Sequence, residues 1–258
     1  MSTPSDSTQQ LPQASSFQRT TVLLYGIIVY LLGIMTILWL IACNGGLLPL
    51  GTSKINTNSV VLAFLINLML VTLFGLQHSI MARSSFKEWW TQKIPAAAER
   101  STYVLATALA LGAILWFWQP MPMKIWSVED QLSRYFIWGL FSLGWLYLVL
   151  ATFATNHFDL FGLRQAYLYW REQPYKALPF MKKWMYQFNR HPIQTGILLG
   201  IWATPYMKLD HLVLSVTFTV YILIGLAFEE RDLIAKFGEQ YQSYRAEVGG
   251  IIPWKWGK

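Results

Sequence analysis

Charge is scarce in this chain. Only 13% of its residues are charged while 54% are hydrophobic, against about 25% charged in soluble domains. That composition excludes an ordinary water-facing globule. Cysteine is nearly absent: Cys43 stands alone, which excludes an intrachain disulfide and a cysteine-based metal cluster, and no metal site is expected. No G-x-G-x-x-G occurs, so a soluble Rossmann cofactor domain is not indicated. The amino terminus carries no charged-then-apolar stretch with a small-residue cleavage site, so no cleaved signal peptide is read there. Residues 1–18 are rich in Ser, Thr, Gln and Pro and are read as a disordered cytoplasmic tail.

What is present is apolar length. Uncharged runs occupy 22–43, 59–82, 101–123 and 135–158, followed by a shorter run at 193–207 and another at 211–228. A spanning helix needs about 20 residues. The pattern predicts an all-α polytopic membrane helix bundle of five to six transmembrane segments in the lipid bilayer, ending in a C-terminal helical hairpin and a cytoplasmic helix. With six crossings and both termini inside, 16 of the 20 Lys and Arg residues fall on the cytoplasmic side and 4 outside. Without the short fifth crossing the bias drops to 11 against 9. Basic residues are retained in cytoplasmic loops, so 193–228 is read as a hairpin whose first arm is short or tilted. This basic rim accounts for the net charge of +7 without a nucleic-acid partner. Residues 19–258 form one domain. The loop 83–100, with Phe86, Trp89 and Trp90 beside Lys87 and Lys93, suits the headgroup layer. The 37-residue segment 156–192 is long enough to expect a function from it.

Polar residues gather where the apolar runs meet the cytoplasmic face. Arg190-His191-Pro192 opens the short run, and Glu229-Glu230-Arg231 closes the last one. Gly238, Tyr241, Tyr244, Arg245 and Ile252-Pro253 follow. This ordered set resembles the isoprenylcysteine carboxyl methyltransferase superfamily of integral-membrane methyltransferases, which implies S-adenosylmethionine as methyl donor. Gln77-His78-Ser79, Glu99-Arg100-Ser101-Thr102-Tyr103 and the stretch from Asn156-His157-Phe158-Asp159 to Arg164-Gln165 narrow the resemblance to bacterial methanethiol S-methyltransferases. The likeness runs from residue 64 to 254. It implies S-methylation of a small volatile thiol in a bacterial inner membrane: methanethiol to dimethyl sulfide, with hydrogen sulfide a further acceptor. Where the superfamily often has Tyr two residues after the Pro of Arg-His-Pro, this chain has Gln194, and that tyrosine's role is not carried over.

Under that resemblance, 156–254 holds the cofactor-binding part. Pro192 at a first helical position loses no hydrogen bond, and the helix start, with Arg190 and His191 beside it, suits the cofactor's carboxylate. Glu229 or Glu230 would hold its ammonium or ribose, with Arg231 neutralising the other carboxylate. Tyr241, Tyr244 and Arg245 either fold back as an aromatic lid or form an interfacial helix. Arg164 and Gln165 are candidate substrate-side contacts. His78 and His157 are the candidate bases for the thiol proton. Asp159 orients His157 only if the helix has ended there, since i,i+2 residues of a helix do not face one another; otherwise it orients His78 or pairs with Arg164. Two rival readings stand beside this one. The first is a membrane methyltransferase acting on a prenylcysteine carboxylate or a lipid amine. The second is a non-enzymatic protein similar to a denitrification-associated membrane family.

Overall fold

The computed structural model describes residues 14–53, 55–179 and 182–252. It is an all-α polytopic membrane bundle. Five helices are long and apolar enough to cross a bilayer: α1 (Ser16–Asn44), α2 (Val60–Ala82), α4 (Ala96–Phe117), α5 (Gln131–Thr155) and α9 (Leu209–Phe237). Between and after them lie α3 (Ser84–Trp90), α6 (His157–Leu160), α7 (Leu163–Trp170), α8 (Pro192–Trp202) and α10 (Glu239–Glu247). Of the tail expected over 1–18, residues 1–13 lie outside the described residues. Ser16 to Gln18 already belong to α1, which starts there because the Ser15 hydroxyl accepts from the Gln18 amide at 3.2 Å.

Local chemistry sets the other boundaries. Ser59 caps α2 and Asp130 caps α5 through their side-chain oxygens. The apolar run expected to stay helical to residue 123 leaves the helix at Phe117, because Pro120 and Pro122 cannot continue it. The buried residues beyond it are pinned by Asn67. Its side chain accepts from the Gln119 amide at 2.7 Å and donates to the Gln119 carbonyl at 2.9 Å.

The short fifth segment resolves into two pieces. α8 has 11 residues, about 16 Å at ~1.5 Å per residue, roughly half a bilayer core. Extended residues then lead into β2 (Tyr206–Lys208), which pairs antiparallel with β1 (Lys124–Ser127) at the far end of the bundle. At the other end Arg190 reaches Glu230 of α9. The hairpin therefore joins the two ends with a first arm that is half helix and half extended chain, and the two strands are elements that the apolar pattern did not announce. Backbone polar groups at this break are satisfied within the protein. His211 Nε2 and Ser215 Oγ donate to the Ile201 carbonyl at 2.9 and 3.0 Å, and Trp126 Nε1 donates to the Thr204 carbonyl at 3.1 Å.

α8 sits tightly on α5. A Cβ at Gly196 would lie 2.6 Å from the Leu148 backbone nitrogen, and one at Gly200 2.6 Å from the Trp145 ring. Small residues four apart let membrane helices approach backbone to backbone. That contact fixes the start of α8 against the end of α5, where the polar residues collect.

Candidate active site

The start of α8 is built from Asn189, Arg190 and His191. Asn189 is fully buried, and its side-chain oxygen accepts from the His191 amide at 2.8 Å. The Arg190 amide donates to the Gly249 carbonyl at 2.9 Å, so the chain after α10 lies alongside. Arg190 then forks onto Glu230: Nε and Nη2 reach Oε1 at 2.9 and 2.6 Å. Nη1 donates to the carbonyls of Val248 at 2.5 Å and Arg245 at 3.2 Å. His191 Nε2 lies 3.0 Å from the same Glu230 oxygen, and Arg245 Nε lies 3.2 Å from the other. Four of the residues singled out in the sequence thus meet in one cluster. Arg190, His191 and Glu230 line a cavity of about 570 Å³, within the ~300–1,000 Å³ range of small-molecule sites. Leu223, Leu226 and Ala227 form its apolar wall, and Gly249 to Ile252 its rim.

The neighbouring candidates are placed differently. Pro192 is buried at the first position of α8. Glu229 is half exposed, its carboxylate 3.9 Å from His191 Nδ1. Arg231 is exposed with its guanidinium over the Phe228 ring, away from the cluster. Tyr241 and Tyr244 are buried in the corner between α9 and α10, packed with Leu233, Ile234, Phe237 and Val248. Tyr244 donates to the Tyr186 carbonyl at 2.6 Å. Burial pushes the Tyr241 phenol up to about 12 and raises the Tyr244 phenol as well, so both tyrosines stay neutral and brace the corner.

His157 lies just beyond α5. The turn is made by Asn156, which has φ +97° and accepts from the Asp159 amide at 3.2 Å; a non-glycine residue in the left-handed region stores strain. His157 is 7% exposed and stacked on Phe153 at 4.4 Å. Its nitrogens are both engaged, Nδ1 by Thr152 Oγ1 at 2.8 Å and Nε2 by the Tyr30 hydroxyl at 3.0 Å. The Thr152 hydroxyl proton goes to the Val149 carbonyl at 2.7 Å. Its oxygen therefore accepts from Nδ1–H, and Nε2 carries the lone pair that accepts from Tyr30. Burial holds the imidazole below its ordinary value.

His78 stacks on Phe74 and sits among α2, α4 and α9. The Tyr103 hydroxyl is 2.7 Å from Nε2 and the Thr107 hydroxyl 3.0 Å from Nδ1. Asp159 is not joined to either histidine. Arg164 Nη1 donates to Asp159 Oδ1 at 2.8 Å, and Gln165 Nε2 to the Asp159 carbonyl at 3.2 Å. Tyr175 donates to Asp159 Oδ2 at 3.4 Å, and Arg164 also reaches the Lys176 carbonyl at 3.3 Å. This group fastens the strap that follows α7. Among the residues the sequence reading passed over are Tyr30, Thr152, Thr107 and Asn189, which with Tyr103, quoted there only as part of a motif, orient the histidines and the start of α8. Tyr30 lies inside an apolar run and carries no local signal; Asn189 was legible as the polar residue preceding Arg190.

The chain is thus a membrane helix bundle with a polar cavity walled by Arg, Glu and His at one end, of the size of a small-molecule site. A methanethiol S-methyltransferase of Crocosphaera subtropica is 43% identical over 95% of this chain and 96% of its own length. One of Mycobacterium tuberculosis is 48% identical over 74% of this chain and 79% of its own. Nurim of Bos taurus is 26% identical over 70% and 72%. No family model matches the chain, and no solved structure does. The chain belongs to the methanethiol S-methyltransferase family and is a methyltransferase, which requires a methyl donor.

Proposed function

We propose that this protein methylates methanethiol to dimethyl sulfide with S-adenosylmethionine, at the cytoplasmic face of a bacterial inner membrane. The observation that carries the reading is the cavity walled by Arg190, His191 and Glu230, beside a helix start whose first-turn amides are free of side-chain caps. Its donor set fits the cofactor. The start of α8 suits a carboxylate, the half-exposed Glu229 carboxylate beside His191 suits a cationic ammonium, and Leu223, Leu226 and Ala227 suit the adenosine's apolar face. Bound there, the cofactor supplies a sulfonium methyl open to in-line displacement.

The chain's own residues position the thiol and remove its proton. We assign the base to His157, which lines the smaller cavity at the end of α5: Nε2, held by the Tyr30 hydroxyl, takes the thiol proton on its lone pair as that hydrogen bond gives way. With the donor bound, the thiolate lone pair would form the new S–C bond as the donor's S–CH3 bond breaks and that electron pair returns to the donor sulfur. The proton leaves His157 to water afterwards. Purified protein incubated with the donor and methanethiol should release dimethyl sulfide into the headspace. Turnover of a prenylcysteine analogue in its place would overturn the reading.

A further inference from the structure

A second cavity, of about 290 Å³, lies at the end of α5. Phe153, Ala154, Thr155, Asn156, His157 and Phe158 line it, with Leu178 from the strap. Leu178 is the one residue of 171–179 that is partly buried, the others being exposed. The strap therefore contributes a single leucine to the lining, and the tie of Arg164 and Tyr175 to Asp159 holds the strap in place. The wall is aromatic and aliphatic around one buried imidazole, and Phe153 and Phe158 are themselves 55% and 49% exposed. An apolar, weakly hydrated sulfur compound enters such a space readily, and sulfur makes favourable contacts with aromatic rings. A hydrogen-bonded path also leads from the cavity's lining toward the first site. The Thr155 hydroxyl donates to the Ala151 carbonyl at 3.1 Å, so its oxygen accepts from the Tyr186 hydroxyl at 2.5 Å. Tyr186 in turn leads through the 3-10 turn Trp184–Gln187 to Asn189 and Arg190.

We propose that this cavity is the acceptor subsite, that it takes a small alkyl thiol, and that Leu178 sets the upper limit on the acceptor's size. The assignment rests on the thiol-methylating reading above. It makes chain length a steric matter: removing the leucine opens the cavity to longer alkyl groups, and enlarging the residue closes it. One added or missing methylene in an apolar pocket changes selectivity by about 10–200-fold.

The experiment compares wild type, Leu178→Ala and Leu178→Trp, with Ala154→Leu as a second narrowing variant set in α5. Initial rates with methanethiol, ethanethiol and 1-butanethiol are measured at saturating S-adenosylmethionine. Calorimetry measures the binding of 1-butanethiol and of the cofactor separately. Leu178→Ala should raise the ratio of 1-butanethiol to methanethiol kcat/KM by tenfold or more. The narrowing variants should raise the KM for methanethiol at unchanged cofactor affinity. An unchanged chain-length profile in all three variants, while wild type turns over methanethiol, overturns the subsite and leaves the function standing. Absence of thiol turnover in wild type overturns the function. The subsite then stands or falls on whether thiol binding to wild type is lost in Leu178→Trp.

Discussion

Arg190 grips one oxygen of Glu230 with two nitrogens, at 2.9 and 2.6 Å, and directs its remaining nitrogen to the carbonyls of Arg245 and Val248. Its guanidinium is thereby occupied by the protein. The arginine shapes the cavity by holding together α9, the end of α10 and the segment 248–252, and this bears on what its removal does.

Arg190→Ala should lower both stability and donor affinity. The side chains of Arg190 and Glu230 are 12% and 14% exposed, and removing one partner of a buried pair costs about 3–5 kcal/mol. Glu230→Ala should behave likewise, whereas Glu229→Ala, half exposed, should weaken donor binding with little loss of stability. Thermal unfolding in detergent and calorimetry with the donor distinguish the two; equal unfolding midpoints for all three variants would contradict the clamp.

His157→Gln and Tyr30→Phe should each slow the chemical step. Loss of a general base typically costs about 10²–10⁴ in rate. Donor affinity should hold, because neither residue lines the larger cavity. If His78→Gln alone carries the loss, the base is His78, with Tyr103 and Thr107 orienting it. Single-turnover rates at saturating donor make the comparison.

Acid should inhibit and destabilise through His157. Burial lowers its folded-state pKa below the ordinary 6.5, so the unfolded chain binds the proton first as pH falls. This contribution leaves stability intact above pH 6.5 and erodes it from there down through the folded pKa. The limb of kcat governed by the base should likewise fall at a pH below 6.5. Unfolding midpoints and rates between pH 5 and 8 test both, and His157→Gln should flatten the stability component.

Gly196→Val should disrupt the α5–α8 contact, since even a Cβ would stand 2.6 Å from the Leu148 backbone nitrogen. Overpacking of this kind costs about 1–3 kcal/mol. The shift of the α8 start should also weaken donor binding, read by calorimetry. Gly139→Ala, where a Cβ meets nothing within 4 Å, should be close to neutral.

Reporter tags at the two termini should both be found in the cytoplasm. An even number of crossings requires the two-piece arm of α8 and β2 to traverse the membrane, and a periplasmic carboxyl terminus would show that it does not.

Sequence alone determined the class of molecule and the position of its chemistry. Long uncharged runs have one stable outcome in lipid, the helix, because every backbone polar group must be satisfied internally. Arg190, His191, Glu230 and Arg245 were legible because charge at the end of an apolar run needs a reason. Tertiary structure decided the partners. Asp159 went to Arg164 and Tyr175, and His157 to Tyr30 and Thr152, because α6 and α7 fold back against α1 and bring together residues 127 positions apart. It also decided that the fifth segment is half helix: proximity to α5 through Gly196 and Gly200, and to β1 through β2, is a property of packing that no local pattern carries.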